Sequence, residues 1–159
     1  MTDSPLALVT GGAQGIGYAS AEALIEDGFR VILADIKSEE VVAAAKRIGA
    51  VAGLVCDMGD AEQVLAMFDK IEAEHGPVSA LVNNAGIAAA GDFLSYDLDT
   101  FDRVIDVNLR GVFVATQRAG KAMIEHGLEG AIVNMSSINA QVATPQSRLT
   151  ARPRAGSCS

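Results

Sequence analysis

A glycine-rich turn between the first apolar run and the first helical segment constrains this chain more than any other feature. Residues 10–17 read Thr-Gly-Gly-Ala-Gln-Gly-Ile-Gly, and they follow the apolar run 6–10 without a break. Glycine adopts the positive φ that a tight strand-to-helix turn requires, and a helix N-terminus presents free backbone N–H groups to an anion. The pattern therefore predicts a phosphate cradle; the alternative is a tight turn that binds nothing.

Three glycines of this turn have separate expected roles. We expect Gly11 to take the positive φ of the turn and Gly15 to leave backbone N–H groups open to a pyrophosphate. Gly17 is expected to let the helix pack closely on the strand. The position of this turn in the first βαβ unit favours cofactor binding over a tight turn without a ligand.

Short apolar runs alternate with longer amphipathic stretches along the chain, which is typical of βαβ units around a parallel sheet. The predicted fold is α/β, a doubly wound parallel sheet of Rossmann type, of which the chain holds the first five strands. Helices fill the gaps between the strands. We place the strands at Leu6–Thr10, Arg30–Asp35, Ala50–Cys56, Ala80–Asn83 and Ala131–Met135.

Capping residues and glycines predict where the four helices begin and end. Ser38 is expected to cap the second helix through its hydroxyl, and Asp60 with Gln63 resembles a capping box on the third. The fourth helix is expected to bend near Gly111. The predicted helices run from Gly15 to Asp27, from just after Ser38 to Gly49, from Asp60 to His75 and from Asp99 to Gly127.

The acidic end of the second predicted strand bears on the choice of cofactor. Asp35 lies about twenty residues beyond the glycines, where a carboxylate accepts hydrogen bonds from the adenosine ribose hydroxyls of NAD. The same charge would repel the 2′-phosphate of NADP, and neither Gln14 nor Ile36 supplies a cation. Lys37 is the only nearby candidate for an NADP site, so NADP is the less favoured alternative.

Length, charge and cysteine content exclude several classes of protein. A chain of 159 residues, half of them apolar and 4% aromatic, suits one α/β domain. The net charge of −8 disfavours nucleic acid and anionic membranes, and Met1–Pro5 has no signal-peptide character. Cys56 and Cys158 have neither a C-x-x-C spacing nor a partnering His, so neither disulfide nor metal site is expected. We expect a soluble, cytoplasmic protein.

Four motifs in order carry a specific resemblance. They are the turn at 10–17, Asn-Asn-Ala-Gly at 83–86, Asn108 in the long helix and Asn-Met-Ser-Ser at 134–137. Over about residues 5–145 the chain resembles the classical short-chain dehydrogenase/reductase family. The resemblance implies an NAD(P)-dependent oxidoreductase that interconverts a small secondary alcohol and a ketone.

The family's cofactor contacts can be carried over to matching positions. By resemblance, Asp57 and Met58 contact the adenine ring, while residues 84–86 lie along the adenosine ribose. The implied cofactor-binding residues are Gly11, Gln14, Gly15, Ile16, Gly17, Asp35, Asp57, Met58, Asn84, Ala85 and Gly86.

Two catalytic positions of the family are matched and two are not. By resemblance, Ser137 polarises the carbonyl oxygen and Asn108 holds a water in a proton relay. The family's Tyr-x-x-x-Lys would fall at positions 150 and 154, which are Thr150 and Arg154 here. A threonine hydroxyl is far too weak an acid to replace a tyrosine whose pKa is lowered by lysine. Catalysis by this chain is therefore not expected.

The residues after Pro145 differ in character from the rest. Residues 146–159 read QSRLTARPRAGSCS, with no helical or strand periodicity and a burst of arginine. We predict a family domain over 1–145 and a disordered tail over 146–159. Reading the gene one base earlier permits a tyrosine and a lysine at the family's spacing, so we hypothesise a truncated, frameshifted product.

Three interpretations remain open on the sequence alone: an oxidoreductase by ancestry, a non-catalytic dinucleotide-binding fragment, or a non-functional truncated product. A possible homo-oligomer through the fourth helix is also open, with packing on the chain's own sheet as the alternative. The residues that could supply the oligomer face are Val104, Val107, Val112, Phe113 and Thr116.

Overall fold

Five parallel strands form one sheet in a computed structural model that describes residues 4–137. The strands are β1 (Leu6–Thr10), β2 (Arg30–Asp35), β3 (Ala52–Val55), β4 (Ala80–Asn83) and β5 (Ala131–Asn134). Their order across the sheet is β3-β2-β1-β4-β5. This confirms the doubly wound α/β fold. The predicted tail at 146–159, with Thr150, Arg154 and Cys158, lies outside the described residues.

Helices connect the strands and cover the sheet. They are α1 (Gly15–Glu26), α2 (Ser38–Ile48), α3 (Ala61–His75), α4 (Leu98–Ile105) and α5 (Val112–Glu125). A short 3₁₀ turn, Phe93–Ser95, precedes α4, and a π-helical segment, Asp106–Gly111, joins α4 to α5. None of the helices within residues 4–137 is long and apolar enough to cross a membrane.

The core has two layers, one on each face of the sheet, because successive side chains of a strand point to opposite faces. All five residues of β1 are buried. On one face Leu8, Ile32 and Leu81 pack against α3 and α5; on the other, Val9 and Leu33 pack with residues of α1 and α2. The near-continuous apolar strands follow from this burial on both faces.

The strand order reverses direction between β1 and β4, and this reversal positions the site. In the register of the sheet, Val9 pairs with both Leu33 and Val82, and Asn83 pairs with Asn134. Because all strands are parallel, their carboxyl ends meet at one edge of the sheet. Ligands of open α/β sheets bind in the crevice at such a reversal.

Two predicted helix starts were wrong. The Ser38 hydroxyl caps nothing: α2 already includes Ser38, follows Lys37 and has no side-chain cap, while Glu39 and Glu40 place negative charge at its N-terminus. The fourth helix begins before Asp99, because the Asp97 carboxylate accepts hydrogen bonds from the Thr100 N–H at 2.8 Å and hydroxyl at 2.7 Å.

The predicted bend near Gly111 corresponds to the π-helical segment rather than to a break in the helix. Gly111 closes this segment against the loop after β3. A Cβ at Gly111 would lie 1.9 Å from the Met58 carbonyl oxygen, so only glycine allows this approach. The helix is thereby held close to the carboxyl edge of the sheet.

Candidate functional site

The glycine turn has the conformation that its sequence predicts. Gly11 and Gly15 have φ of 64° and 59°, and space beside Gly15 is open within the described residues. A Cβ at Gly17 would lie 2.3 Å from the Gly11 carbonyl oxygen. Gly17 thus lets α1 start directly against the turn, with its N-terminus at the carboxyl edge of the sheet.

Thr10 and Asn84 fasten the loop after β4 to the glycine turn. The buried Thr10 hydroxyl accepts hydrogen bonds from the backbone N–H groups of Asn84 and Ala85, both at 3.1 Å. The Asn84 amide donates to the carbonyl oxygens of Thr10 at 3.1 Å and Gly11 at 3.0 Å. From the sequence, Thr10 belongs to the motif at 10–17 but has no predicted role of its own.

The first cavity at this edge, called the turn cavity here, has a volume of about 350 Å³. Arg103 also lines it, although the sequence analysis did not single out that residue. Most of the residues implied for cofactor binding are brought together on its wall. They are Gly11, Gln14, Gly15, Asp35, Asp57, Met58, Asn84, Ala85 and Gly86.

The Asp35 carboxylate is fixed at the end of β2. Its Oδ2 accepts a hydrogen bond from the Ala13 N–H at 3.1 Å, and its Oδ1 accepts one from the Lys37 N–H at 3.1 Å. Lys37 lines the turn cavity as well. The cavity therefore has both an anchored negative charge and one lysine near it.

A second carboxylate of the turn cavity, Asp57, forms an ion pair with Arg103 at 2.8 Å. The Arg103 hydrogen bond holds the pKa of Asp57 below its ordinary value, and the Gly59 N–H acts in the same direction. The pairing raises the pKa of Arg103 in turn. Asp57 is thus an ionised hydrogen-bond acceptor at neutral pH.

Cys56 also lies on the wall of this cavity, but its thiol has low nucleophilic reactivity. The side chain is buried, and burial together with the charges of Asp57 and Asp60 raises the pKa of the thiol to about 11. The thiolate is the nucleophilic form of cysteine, so this thiol is unreactive near neutral pH.

An adjoining cleft of about 470 Å³, called the β5 cleft here, brings together the two matched catalytic positions, Asn108 and Ser137. It shares Asn84, Ala85 and Gly86 with the turn cavity, and Ile16 at the start of α1 also lines it. Of the implied cofactor residues, only the buried Gly17 lines neither space.

The side chain of Asn108 is occupied by the loop after β4. Its Oδ1 accepts a hydrogen bond from the Ile87 N–H at 2.9 Å, and its Nδ2 donates to the Ile87 carbonyl oxygen at 2.8 Å. Asn108 lies in the π-helical segment, and such segments often occur at functional sites. In this structure the amide braces the wall of the cleft.

Asn83 and Asn134 join the ends of β4 and β5 at the base of the β5 cleft. The Asn83 amide donates to Asn134 Oδ1 at 2.8 Å and to the Thr116 hydroxyl at 3.0 Å. No described residue hydrogen-bonds the buried Oδ1 of Asn83. From the sequence, Asn83 has no predicted role beyond its place in the motif at 83–86.

The face proposed for an oligomer is only partly exposed. Val107 is buried in the core of its own sheet, Thr116 bonds Asn83, and Val112 lines the β5 cleft. For Val107 the alternative, packing on its own sheet, is therefore correct. Phe113 is exposed, and other exposed apolar residues of the same helical stretch are Leu98, Phe101 and Leu109.

The parallel sheet, its reversal and the glycine turn, with two adjoining cavities, are typical of dinucleotide-binding α/β domains. The sequence profile of the short chain dehydrogenase family matches residues 5–149. The chain belongs to this family of oxidoreductases, whose members use a nicotinamide dinucleotide. The matched range ends four residues after the predicted domain end at 145.

Named relatives include dehydrogenases and reductases. The chain is 41% identical to a D-threitol dehydrogenase of Mycolicibacterium smegmatis, over 91% of this chain and 56% of the relative. It is 36% identical to a 3alpha-hydroxysteroid dehydrogenase of Mediterraneibacter gnavus, over 87% and 57%. It is 37% identical to a carbonyl reductase [NADPH] 2 of Sus scrofa, over 87% and 55%.

The fold comparison agrees with the family assignment. The crystal structure of a protein described as a putative betaketoacyl-ACP reductase matches with a TM-score of 0.81 and 32% sequence identity, over 93% of this chain and 60% of that structure. The chain thus spans a little over half the length of these three relatives.

Proposed function

We propose that this chain is the NAD-binding part of a short-chain dehydrogenase/reductase that interconverts a small secondary alcohol and a ketone, and that the chain itself binds NAD without catalysis. The observation that carries the proposal is the turn cavity, whose wall contains nine of the eleven residues implied for the cofactor. Related proteins named for polyols, hydroxysteroids and carbonyl compounds support the substrate class.

The residues present fit a dinucleotide. The first turn of α1 contains no acidic residue and Gln14 gives it no side-chain cap, so its N-terminus suits a pyrophosphate. Asp35 and Asp57 would hold the adenosine, and the β5 cleft beside them would take the nicotinamide end. When bound, the nicotinamide supplies a hydride acceptor or donor.

NAD is favoured over NADP because Asp35 is fixed at the rim of the turn cavity by the Ala13 and Lys37 N–H groups. A 2′-phosphate placed there would meet a carboxylate of like charge. Lys37 lines the same cavity and is the feature that favours the NADP alternative.

The proposed lack of catalysis rests on the missing base. Ser137 and Asn108 line the same cleft, where a serine hydroxyl can polarise a carbonyl oxygen. Neither Thr150 nor Arg154 can accept a proton from an alcohol near neutral pH. The hypothesis of a frameshift after Pro145 accounts for both residues, and the gene sequence around that codon tests it.

The proposal is tested by adding one negative charge where the pyrophosphate would lie. Ile16 is exposed at the second position of α1 and lines the β5 cleft, so Ile16→Glu should weaken NAD binding at least about tenfold in calorimetric titrations. Ala19→Glu adds the same charge to an exposed position of α1 outside both cavities and should leave binding unchanged. Equal affinity of both variants would contradict the proposed site.

A further inference from the structure

Arg103 of α4 reaches across to the loop after β3 and holds one oxygen of Asp57. The guanidinium Nη2 donates to Asp57 Oδ1 at 2.8 Å, and the same oxygen accepts the Gly59 N–H at 2.8 Å. Within residues 4–137 no hydrogen bond engages the other oxygen, Oδ2. One oxygen of the carboxylate is therefore anchored twice, and the other remains an available acceptor.

The loop beneath this ion pair is braced from both sides. The Asp57 N–H donates to Gln63 Oε1 at 3.2 Å, and Gln63 Nε2 donates to Asp60 Oδ2 at 2.8 Å. A Cβ at Gly59 would lie 2.3 Å from Arg103 Nη1, so the guanidinium lies directly against the backbone of the loop. Gln63 of α3 thus holds the backbone of Asp57, while Arg103 of α4 and the Gly59 N–H hold its carboxylate.

Both members of the ion pair line the turn cavity. Resting on the proposed binding of NAD, we propose that Arg103 is a positioning residue for adenine: it fixes Asp57 so that the free carboxylate oxygen accepts a hydrogen bond from the exocyclic amine of the base. The carboxylate then favours adenine over a base that has a carbonyl group at that position, because two acceptors facing each other repel.

The charges around the pair support this role. The Arg103 hydrogen bond is the largest cause of the lowered pKa of Asp57, and nearby Asp60 acts in the opposite direction. Asp57 and Asp106 both raise the pKa of Arg103. Without the guanidinium, Asp57 would face Asp60 unpaired and would lose its main hydrogen-bond donor.

The test compares the affinity for NAD with that for nicotinamide hypoxanthine dinucleotide, in which a carbonyl replaces the adenine amine. The unmodified chain should prefer NAD about tenfold, the size of one hydrogen bond to a charged group. In Arg103→Met the preference should fall to about twofold or less, and Arg103→Lys should retain part of it. Arg110→Met, which removes an exposed ion pair with Asp106 outside the cavity, should keep the full preference.

A second readout does not depend on the cofactor. NMR titration should show a higher pKa of the Asp57 carboxyl in Arg103→Met than in the unmodified chain, and a thermal melt confirms that each variant folds. An unchanged Asp57 pKa, or an undiminished preference for NAD in a folded Arg103→Met, would overturn this inference alone. Failure of the unmodified chain to bind either dinucleotide would overturn the proposed function and this inference together.

Discussion

Thr10 links three segments of the site through one hydroxyl group. Besides accepting from the N–H groups of Asn84 and Ala85, this hydroxyl lies 3.4 Å from the Val82 carbonyl oxygen, to which it donates. Thr10 is 1% exposed, so water cannot replace these bonds. The position of residues 84–86 in the wall of both cavities depends on this buried group.

Replacing Thr10 by the isosteric valine should leave the partly buried N–H groups of Asn84 and Ala85 without their acceptor. We expect Thr10→Val to lower the free energy of unfolding by about 1–3 kcal/mol and to weaken NAD binding, because the loop after β4 loses its anchor. Thr10→Ser keeps the hydroxyl and should retain most of the stability. Denaturant unfolding of the three proteins checks this expectation; a Thr10→Val variant as stable as Thr10→Ser would disprove it.

A second prediction for a single residue concerns the choice between NAD and NADP. Asp35→Asn removes the negative charge while its amide oxygen can still accept the Ala13 N–H bond. The affinity for NADP should rise relative to that for NAD by about tenfold, because the repulsion of the 2′-phosphate is lost. Competitive titrations of both cofactors measure the ratio. An unchanged ratio would show that Asp35 does not select the cofactor.

The conformation of the helix that carries Asn108 depends on its tertiary contacts. The chain forms α4, a π-helical segment and α5 in place of one regular helix. The π-helical segment coincides with the two hydrogen bonds between Asn108 and Ile87 and with the close approach of Gly111 to Met58. Because the local sequence does not indicate these tertiary contacts, it predicts a bend near Gly111 but not the π-helical segment.

Helices α3 and α5 are joined by charged side chains. Arg118 of α5 pairs with Glu72 and with Asp69 of α3, and His126 lies 2.8 Å from Glu72. The bond from Arg118, followed by that from His126, lowers the pKa of Glu72. A lowered folded-state pKa contributes stability that is present above the unfolded-state pKa and is lost as the pH falls.

We therefore expect Glu72→Gln to lower the free energy of unfolding by about 0.5–1 kcal/mol at pH 7. The difference from the unmodified chain should shrink below about pH 4, the ordinary pKa of a glutamate. Glu74→Gln is a matched control, because Glu74 makes only a 3.8 Å contact with its neighbour His75. Urea unfolding across this pH range measures the effect; a difference independent of pH would contradict the assigned role.

The bounds of three strands could be predicted from the sequence, but several helix N-caps could not. Buried parallel strands read as short continuous apolar runs, so β1, β2 and β4 have their predicted bounds. Near α4 three carboxylates, Asp97, Asp99 and Asp102, compete as caps, and the sequence does not show which one meets the free N–H groups.

Only those parts of the site that consist of consecutive residues or belong to a sequence motif could be predicted. The glycine turn forms from consecutive residues, and its conformation followed from them. Arg103 lies 46 residues from its partner Asp57, and neither sequence spacing nor residue type indicates that pairing. Asn83 and Asn134 are likewise 51 residues apart and meet only because β4 and β5 are neighbours in the sheet.

At the scale of the whole molecule, the order β3-β2-β1-β4-β5 places two adjoining cavities on either side of residues 84–86. The turn cavity lies towards the ends of β2 and β3, and the β5 cleft lies towards the end of β5. A ligand with two different ends, such as a dinucleotide, suits this arrangement better than a single small metabolite does.

Pairing of copies through the fourth helix stays a prediction. If it occurs, the exposed Leu98, Phe101, Leu109 and Phe113 would supply the contact in place of the buried Val107. Phe113→Glu should then shift the sedimentation profile towards the monomer, because it places a charge in an apolar contact. Gln117→Glu, an exposed change on the same helix, is the control. A monomeric profile for the unmodified chain would exclude the pairing.

The proposed binding of NAD by this chain can be measured by calorimetric titration of NAD into the purified 159-residue chain, with a thermal melt on the same sample. We expect saturable binding to one site, tighter for NAD than for NADP, and a melting temperature that rises with NAD concentration. A cooperatively folded chain that binds neither cofactor would contradict it.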